Sequence, residues 1–301
     1  MASSLGAPKR PTPGSPSTVA IFVDPGRWPH RNRLWCHLVS DTSFDELHRF
    51  ARALGLPRVA FQGDHYDLDE PTRNEAVALG AREVSAREIV RALDISSLRR
   101  GPAFQRRGLA GVAHLDAPTL TTDRLILRQW TDADREPFAR VNADPRVADW
   151  LSGPLSPRDS DALVDRHAVL LALRGFGLWS VQERETEAFV GAVGLNGVSS
   201  RFPFGPALEL AWRIDPAFQR RGYATEAAHA AASYAVDVLE VRRVAAMTTL
   251  TNAASLAVMR HLGMRTDDTL PGGEFDHPGL PIDHPLRRHV LCWWSPPGDP
   301  S

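Results

Sequence analysis

Apolar and polar residues alternate strictly along one stretch, where Leu208, Leu210, Trp212 and Ile214 interleave with Glu209, Ala211 and Arg213. A period of two predicts a half-buried strand. Asp215-Pro216 ends it, because proline has no amide hydrogen to give a ladder. A short basic turn follows, Gln219-Arg220-Arg221-Gly222-Tyr223-Ala224, and then the period changes. Ala224, Ala227, Ala228, Ala231, Ala232, Ala235, Val238 and Leu239 fall on one helical stripe. The order strand, glycine turn, helix gathers free backbone amides and the positive end of a helix dipole at one place, which suits a phosphate group. Arg220 and Arg221 add charge beside it. The same letters also fit an ordinary strand-to-helix connection with a solvated basic turn.

The surrounding pattern predicts one domain from Leu120 to Trp294. Leu125–Trp130 reads as a strand, Thr131-Asp132-Ala133-Asp134 starts a helix through Phe138 and Val141, and Ser156 caps another carrying Leu163, Val164 and Leu170. Gly177–Glu183 and Ala188–Leu195 form a hairpin. Val244–Leu250 is a further strand, Asn252–Leu262 a helix ended by Gly263, and His289–Trp294 a closing strand after a Pro- and His-rich loop.

Residues 19 to 94 give a second, smaller pattern. Val19–Val23 is a buried-strand run, Ser43 and Glu46 open a helix as a capping box, and Val59-Ala60-Phe61 reads as a second short strand. Glu75–Leu79 lies in a helix, Glu83-Val84 in a third strand and Ser85–Leu93 in a third helix. Strands alternating with helices predict a small α/β unit with a parallel sheet. Asp24, His37, Asp64 and His65 fall at its strand ends, where they either converge on a metal or a reactive group or cap turns; no metal-ligand spacing is met, so no metal ligand is assigned. Between the two patterns, residues 95–119 read as a linker. It repeats the basic turn as Gln105-Arg106-Arg107-Gly108-Leu109-Ala110, but with no strand before it and no helical stripe after it, so this copy is expected to bind nothing.

Composition narrows the picture. A chain of 301 residues can bury two cores, and a net charge of −1 implies no strong attraction to nucleic acid or anionic membrane. There is no apolar run long enough to span a bilayer. Residues 1–18 read as a disordered leader without a signal-peptide core, and residues 295–301 as a tail. Cys36 and Cys292 stand far apart and unclustered, which fits a reducing cytoplasm rather than a disulfide. Oligomeric state is not legible.

The turn Gln219–Ala224 resembles the pyrophosphate loop, (Gln/Arg)-x-x-Gly-x-(Gly/Ala), of the GNAT superfamily of acyl-CoA-dependent N-acetyltransferases. Its continuation Ala224-Thr225-Glu226-Ala227 and the helix start Asn252-Ala253-Ala254-Ser255 are similar to the branch that acetylates ribosomal-protein N-termini. The element order over residues 120–294 agrees, so the resemblance implies a small N-terminal α/β domain followed by a GNAT-type mixed-sheet α/β acyltransferase domain. It implies acetyl-CoA as co-substrate and an amine acceptor, either a protein N-terminus or a small molecule. Backbone amides of Gln219, Arg220, Arg221, Gly222, Tyr223 and Ala224, leading into Thr225, would hold the pyrophosphate. Main-chain groups of Trp212 and Ile214, with Asn252, would hold the pantetheine arm. Glu209, on the strand face away from the core, is the expected general base, and Ser255 the expected acid for the thiolate. Met259 stands where many members place a tyrosine acid, which keeps open a water as acid, or a catalytically silent acyl-CoA sensor. Asp276-His277-Pro278 and Asp283-His284-Pro285 are expected in a stiff loop on the acceptor side, not at a metal. Residues 19–94 resemble an uncharacterised bacterial domain family, through Val23-Asp24-Pro25, Arg33-Leu34-Trp35, His37–Asp41 and Gly63-Asp64-His65-Tyr66; this names no chemistry.

Overall fold

The computed structural model describes residues 21–25, 28–30, 33–96, 98–99, 107–112, 115, 117–151, 153–199 and 201–298. The leader, residues 19–20, the tail residues 299–301 and the first two residues of the Gln105–Ala110 turn lie outside them. The described chain divides into two compact units, one formed by residues up to 54 with 65–98, the other by 55–64 with 99–301.

In the first unit, β1 (Ile21–Val23), β2 (Trp28–His30), β3 (Arg33–Ser40), β4 (Tyr66–Asp69) and β5 (Arg82–Glu83) form a sheet of order β2-β3-β1-β5, with β4 also on β3. The sheet is not the expected parallel one. Only β1 and β5 run parallel; β3 pairs antiparallel with β1, β2 and β4. The long strand β3 escapes the periodicity because Trp35, His37 and Leu38 mix apolar and polar residues without regular alternation. Val59-Ala60-Phe61, which belongs to the second unit, is not a strand: Arg58–Ala60 is a 3-10 turn closed by Phe61 N–H to Arg58 O at 3.1 Å. α1 (Phe44–Ala53) starts at Ser43, whose hydroxyl accepts from Glu46 N at 3.2 Å; Glu46 itself accepts from Ser40 Oγ at 2.6 Å rather than closing the box. α2 (Glu70–Ala78) and α3 (Ala86–Ile95) follow, the latter with a full Ser85–Glu88 capping box. Phe22 and Val39 meet Ile89 and Leu93 of α3 on one sheet face.

The second unit, which includes residues 55–64, continues with α4 (Gly108–Val112), a short helix within the stretch read as a linker. It docks Leu109 and Val112 into the main core, and its Leu109 amide donates to Asp165 Oδ1 at 3.0 Å. Asp165 thus accepts from one backbone amide of the repeated turn. Nine strands follow: β6 (Leu120–Thr121), β7 (Leu125–Arg128), β8 (Leu178–Glu183), β9 (Phe189–Val198), β10 (Ala207–Ile214), β11 (Val244–Thr249), β12 (Arg265–Thr266), β13 (Glu274–Asp276) and β14 (Arg288–Trp294). The order is β12-β14-β11-β10-β9-β8-β7-β6, with β13 also on β14. β13 lies in the Pro- and His-rich stretch expected to be a loop; its three residues are too few for a periodicity to show. Helices α5 (Arg135–Ala143), α6 (Pro145–Ala148) and α7 (Pro157–Arg174) come between β7 and β8. α8 (Tyr223–Asp237) connects β10 to β11, and α9 (Ala253–His261) follows β11.

Among these strands β10 and β11 are the parallel pair, which is why a helix must carry the chain between them. The alanine stripe of α8 is what lets it lie close on the sheet: Ala227, Ala228, Ala231, Ala232 and Ala235 are fully buried against β9 and β10. Trp130 and Trp179 fill the rest of the core, each indole N–H satisfied at 2.7 Å by a carbonyl, of Leu178 and Pro118 respectively.

Candidate active site

The parallel pair parts as soon as it forms. β10 and β11 register at Glu209↔Ala245, and no further pairing follows although β10 continues to Ile214 and β11 to Thr249. A wedge therefore opens toward the carboxyl ends of both strands. α8 and α9 both begin just beyond those ends, so two helix N-termini face the mouth of the wedge. Open α/β sheets bind ligands at such a place.

The turn that leads into α8 is built to receive an anion. Asp215 Oδ1 accepts from Ala217 N at 2.8 Å, turning the chain out of β10, and Gln219 Nε2 returns to Ile214 O at 3.1 Å. Ile214 O therefore already accepts one hydrogen bond from the turn. Arg220 (φ 63°) and Gly222 (φ 82°) are both left-handed and bracket Arg221, the sort of turn whose successive N–H groups face one concave point. A left-handed arginine costs free energy that surrounding structure must hold in place, and such positions cluster at ligand sites. No side chain caps α8, so its first amides are left for a ligand. These features fit a diphosphate: converging amides, an uncapped fifteen-residue helix and the Arg220 and Arg221 side chains exposed beside it. Tyr223 is buried and takes no part through its ring, its hydroxyl bonding to Glu183. Ala224 and Thr225 occupy the first turn of α8.

The turn's main support was missed from the sequence. Arg124, about a hundred residues earlier, donates through Nη1 to Arg221 O at 3.0 Å and through Nε to Glu226 Oε2 at 2.7 Å, and stacks 4.6 Å over the Tyr223 ring. Glu226 also accepts from Thr122 Oγ1 at 2.6 Å. These ties hold its carboxyl below the usual range against the opposing effect of burial. Thr122 and Arg124 carry no local mark of this duty.

Within the wedge the two faces of β10 differ. Leu208, Leu210 and Ile214 are buried on one side, with Trp212 packed against the same core. Glu209 lies on the other side, as the alternation requires. Its register partner Ala245 belongs to an apolar cluster with Phe202, Phe204, Met247, Phe275, Leu291 and Trp293, so the face Glu209 occupies is mostly hydrocarbon and aromatic ring. Part of the residue reaches solvent, yet the carboxyl lies deep enough that burial alone pushes its pKa up to about 8. No cation among the described residues pairs with it. Arg213, on the same face, is held by Asn142 of α5 at 2.6 Å, and Asn142 by Ser160 at 2.9 Å.

On the opposite wall, Asn252 is buried and caps α9 by accepting from Ser255 N at 3.1 Å. Ser255 Oγ in turn accepts from the Trp212 indole at 3.3 Å. Its own proton is left free to donate. Met259, one turn on, is 2% exposed and belongs to the core, so nothing at that position reaches the wedge. The two Asp-His-Pro units act as turn caps: His277 Nδ1 accepts from Gly279 N and His284 Nδ1 from Leu286 N, each at 3.1 Å. His277 stands instead beside His289, ring centroids 5.0 Å apart, and burial lowers the pKa of both.

The structure thus brings Glu209, Trp212, Ser255 and Asn252 to one wedge and sets the turn Gln219–Ala224 at its mouth. Residues 124–265 match the model of the acetyltransferase (GNAT) domain family, and residues 21–96 match that of a protein family of unknown function, DUF4031. The uncharacterized N-acetyltransferase YoaA of Bacillus subtilis (strain 168) is 26% identical over 168 residues, covering 55% of this chain and 93% of its own. The uncharacterized N-acetyltransferase YnaD of the same organism is 26% identical over 149 residues, covering 49% and 83%. Among solved structures, the acetyltransferase from Agrobacterium tumefaciens str. C58 aligns at 26% identity and a TM-score of 0.48, over 60% of this chain and 95% of that one. The chain carries a GNAT acetyltransferase domain, an acyltransferase fold for acetyl transfer, over residues 124–265, preceded by a DUF4031 domain over residues 21–96.

Proposed function

We propose that the chain transfers the acetyl group of acetyl-CoA to a primary amine by direct attack, the acceptor being a protein N-terminus or a small-molecule amine. The observation that carries this reading is the carboxyl of Glu209, raised to about 8 by burial at the point where β10 and β11 part. A base working near neutral pH needs a pKa in that range. In the reaction Glu209 accepts a proton from the attacking ammonium, directly or through one water. The amine nitrogen then forms its bond to the thioester carbon, and the carbon–sulfur bond breaks. As that bond breaks, Ser255 gives its hydroxyl proton to the departing thiolate and takes up the extra proton that the new amide nitrogen releases, directly or through water. Backbone amides of Gln219–Ala224 hold the pyrophosphate, and main-chain groups of Trp212 and Ile214, with Asn252, hold the pantetheine arm.

A cytoplasmic setting belongs to this reading, supported by two buried free thiols, Cys36 and Cys292. No helix among the described residues is long and apolar enough to cross a membrane. The test is release of free CoA thiol from acetyl-CoA in the presence of peptide and small-molecule amine panels. Turnover with any acceptor supports the reading. Calorimetric binding of CoA with no turnover on any amine would instead favour a silent acyl-CoA sensor.

A further inference from the structure

The first unit gathers a second set of chemistry-bearing side chains, independent of the acyltransferase domain. Val23 pairs with Leu38 across β1 and β3, which places Asp24 opposite His37 one residue on. On the other edge of β3, His37 pairs with Asp67 of β4. Asp24, His37 and Asp67 thus form one cross-strand row. His65 stands two residues before Asp67, on the same side of an extended chain. Leu38 and Tyr66, on the alternate side, are buried in the core.

The geometry of the row is that of a ligand set. Asp24 is 1% exposed and holds His37 twice, accepting from its backbone amide at 2.7 Å and meeting its Nδ1 at 2.8 Å. A buried carboxylate at Nδ1 orients the imidazole, as the carboxylates behind metal-bound histidines do. The His65 ring stands edge-on to His37, centroids 5.0 Å apart, and His65 Nε2 lies 3.4 Å from Asp67 Oδ1. One ligand atom from each of His37, His65 and Asp67 lies within 4.8 Å of the others. A tetrahedral centre with bonds of ~2.0–2.1 Å separates its ligands by about 3.3 Å. The His65–Asp67 edge already has that length, and small rotations of the His65 and Asp67 side chains toward the Asp24-held His37 ring would shorten the other two.

We propose that the DUF4031 domain binds a divalent transition-metal ion, of which Zn2+ is the first to test, through His37, His65 and Asp67, with Asp24 orienting His37. Two imidazoles and one carboxylate select a borderline ion over Ca2+ or Mg2+, which take mainly oxygen ligands. Three protein ligands leave the fourth position to water or a substrate, the composition of a catalytic rather than a closed structural site. The sequence singled out Asp24, His37 and His65; Asp67 enters only through the β3–β4 register.

The test uses the full chain, freed of metal with chelator, dialysed, and titrated with ZnCl2 by calorimetry. Expected is one equivalent bound per chain, with affinity falling at least tenfold in His65→Gln and in Asp67→Asn, and by roughly 10–100-fold in Asp24→Asn. Co2+ in place of Zn2+ should give the strong visible absorption of a four-coordinate ion in the parent and lose it in His65→Gln. Circular dichroism identifies any variant that has not folded, and the Co2+ spectrum of the parent then decides alone. Failure of the parent to bind either ion stoichiometrically, or affinity unchanged in folded His65→Gln and Asp67→Asn, overturns the proposal.

Discussion

The indole nitrogen of Trp212 donates to Ser255 Oγ across 3.3 Å, tying the strand that carries Glu209 to the helix that Asn252 caps. This one bond crosses the wedge between the parted strands. Ser255 Oγ is the acceptor in this bond, which leaves its O–H to donate to a thiolate. Ser255→Ala should lower kcat by roughly 10²-fold, the scale of a lost general acid. Trp212→Phe keeps an aromatic ring, though a smaller one, and removes the donor, so it should lower kcat several-fold, by about 1 kcal/mol of one neutral hydrogen bond, with KM for acetyl-CoA nearly unchanged. Steady-state thiol release measures both.

Gly222 is the position in the turn that a side chain cannot occupy without strain, at φ 82°. Gly222→Ala should raise KM for acetyl-CoA by about tenfold, since roughly 1–2 kcal/mol is needed to hold alanine left-handed. kcat should change less, because Glu209 and Ser255 stand elsewhere. Arg221→Ala should raise the same KM only a few-fold, and the effect should shrink as salt is raised, as an exposed charge requires.

The repeated turn gives the opposite result. Gly108 is left-handed at φ 57°, and a Cβ there would lie 2.5 Å from the Asp165 carboxyl carbon. Gly108→Ala should cost about 1–3 kcal/mol of stability by displacing the carboxylate that caps α4 and also pairs with Arg135. KM for acetyl-CoA should not move. Thermal unfolding and steady-state kinetics on the same variant separate the two effects.

Glu209 also sets a stability trend. Its folded pKa of about 8 lies above the ordinary 4.5, so between those values the folded state keeps a proton that the unfolded chain loses. The stabilisation is whole below pH 4.5 and disappears as pH rises through 8. Glu209→Gln has no such loss. Its melting temperature relative to the parent should climb across that window and level off above it, which scanning calorimetry at a series of pH values can follow.

Much of the acyltransferase domain was legible because its elements are long and strongly periodic. The alternation through Leu208–Ile214 and the stripe from Ala224 to Ala235 each place an element, and together they place Glu209 opposite the core. What escaped lies in relations that span the chain. Arg124 braces a turn about a hundred residues away, and Asn142 holds Arg213 from another helix. The aromatic cluster on Glu209's face is drawn from Phe202, Phe204, Phe275 and Trp293, on three separate segments. In the first unit the antiparallel sheet was hidden by the mixed pattern of Arg33–Ser40, and with it the register that sets Asp67 opposite His37. Val59-Ala60-Phe61 has strand letters but too few of them to outweigh the turn closed by Phe61.

The central claim is that Glu209 removes the acceptor's proton, and the pH dependence of kcat/KM tests it most directly when the parent and Glu209→Gln are compared on one amine. Any limb common to both belongs to the amine itself. The parent should show an additional limb rising with pH to a plateau above about 8, and Glu209→Gln should lose that limb and fall by roughly 10²–10³-fold. A Glu209→Gln enzyme with the parent's rate and the parent's profile would contradict the account.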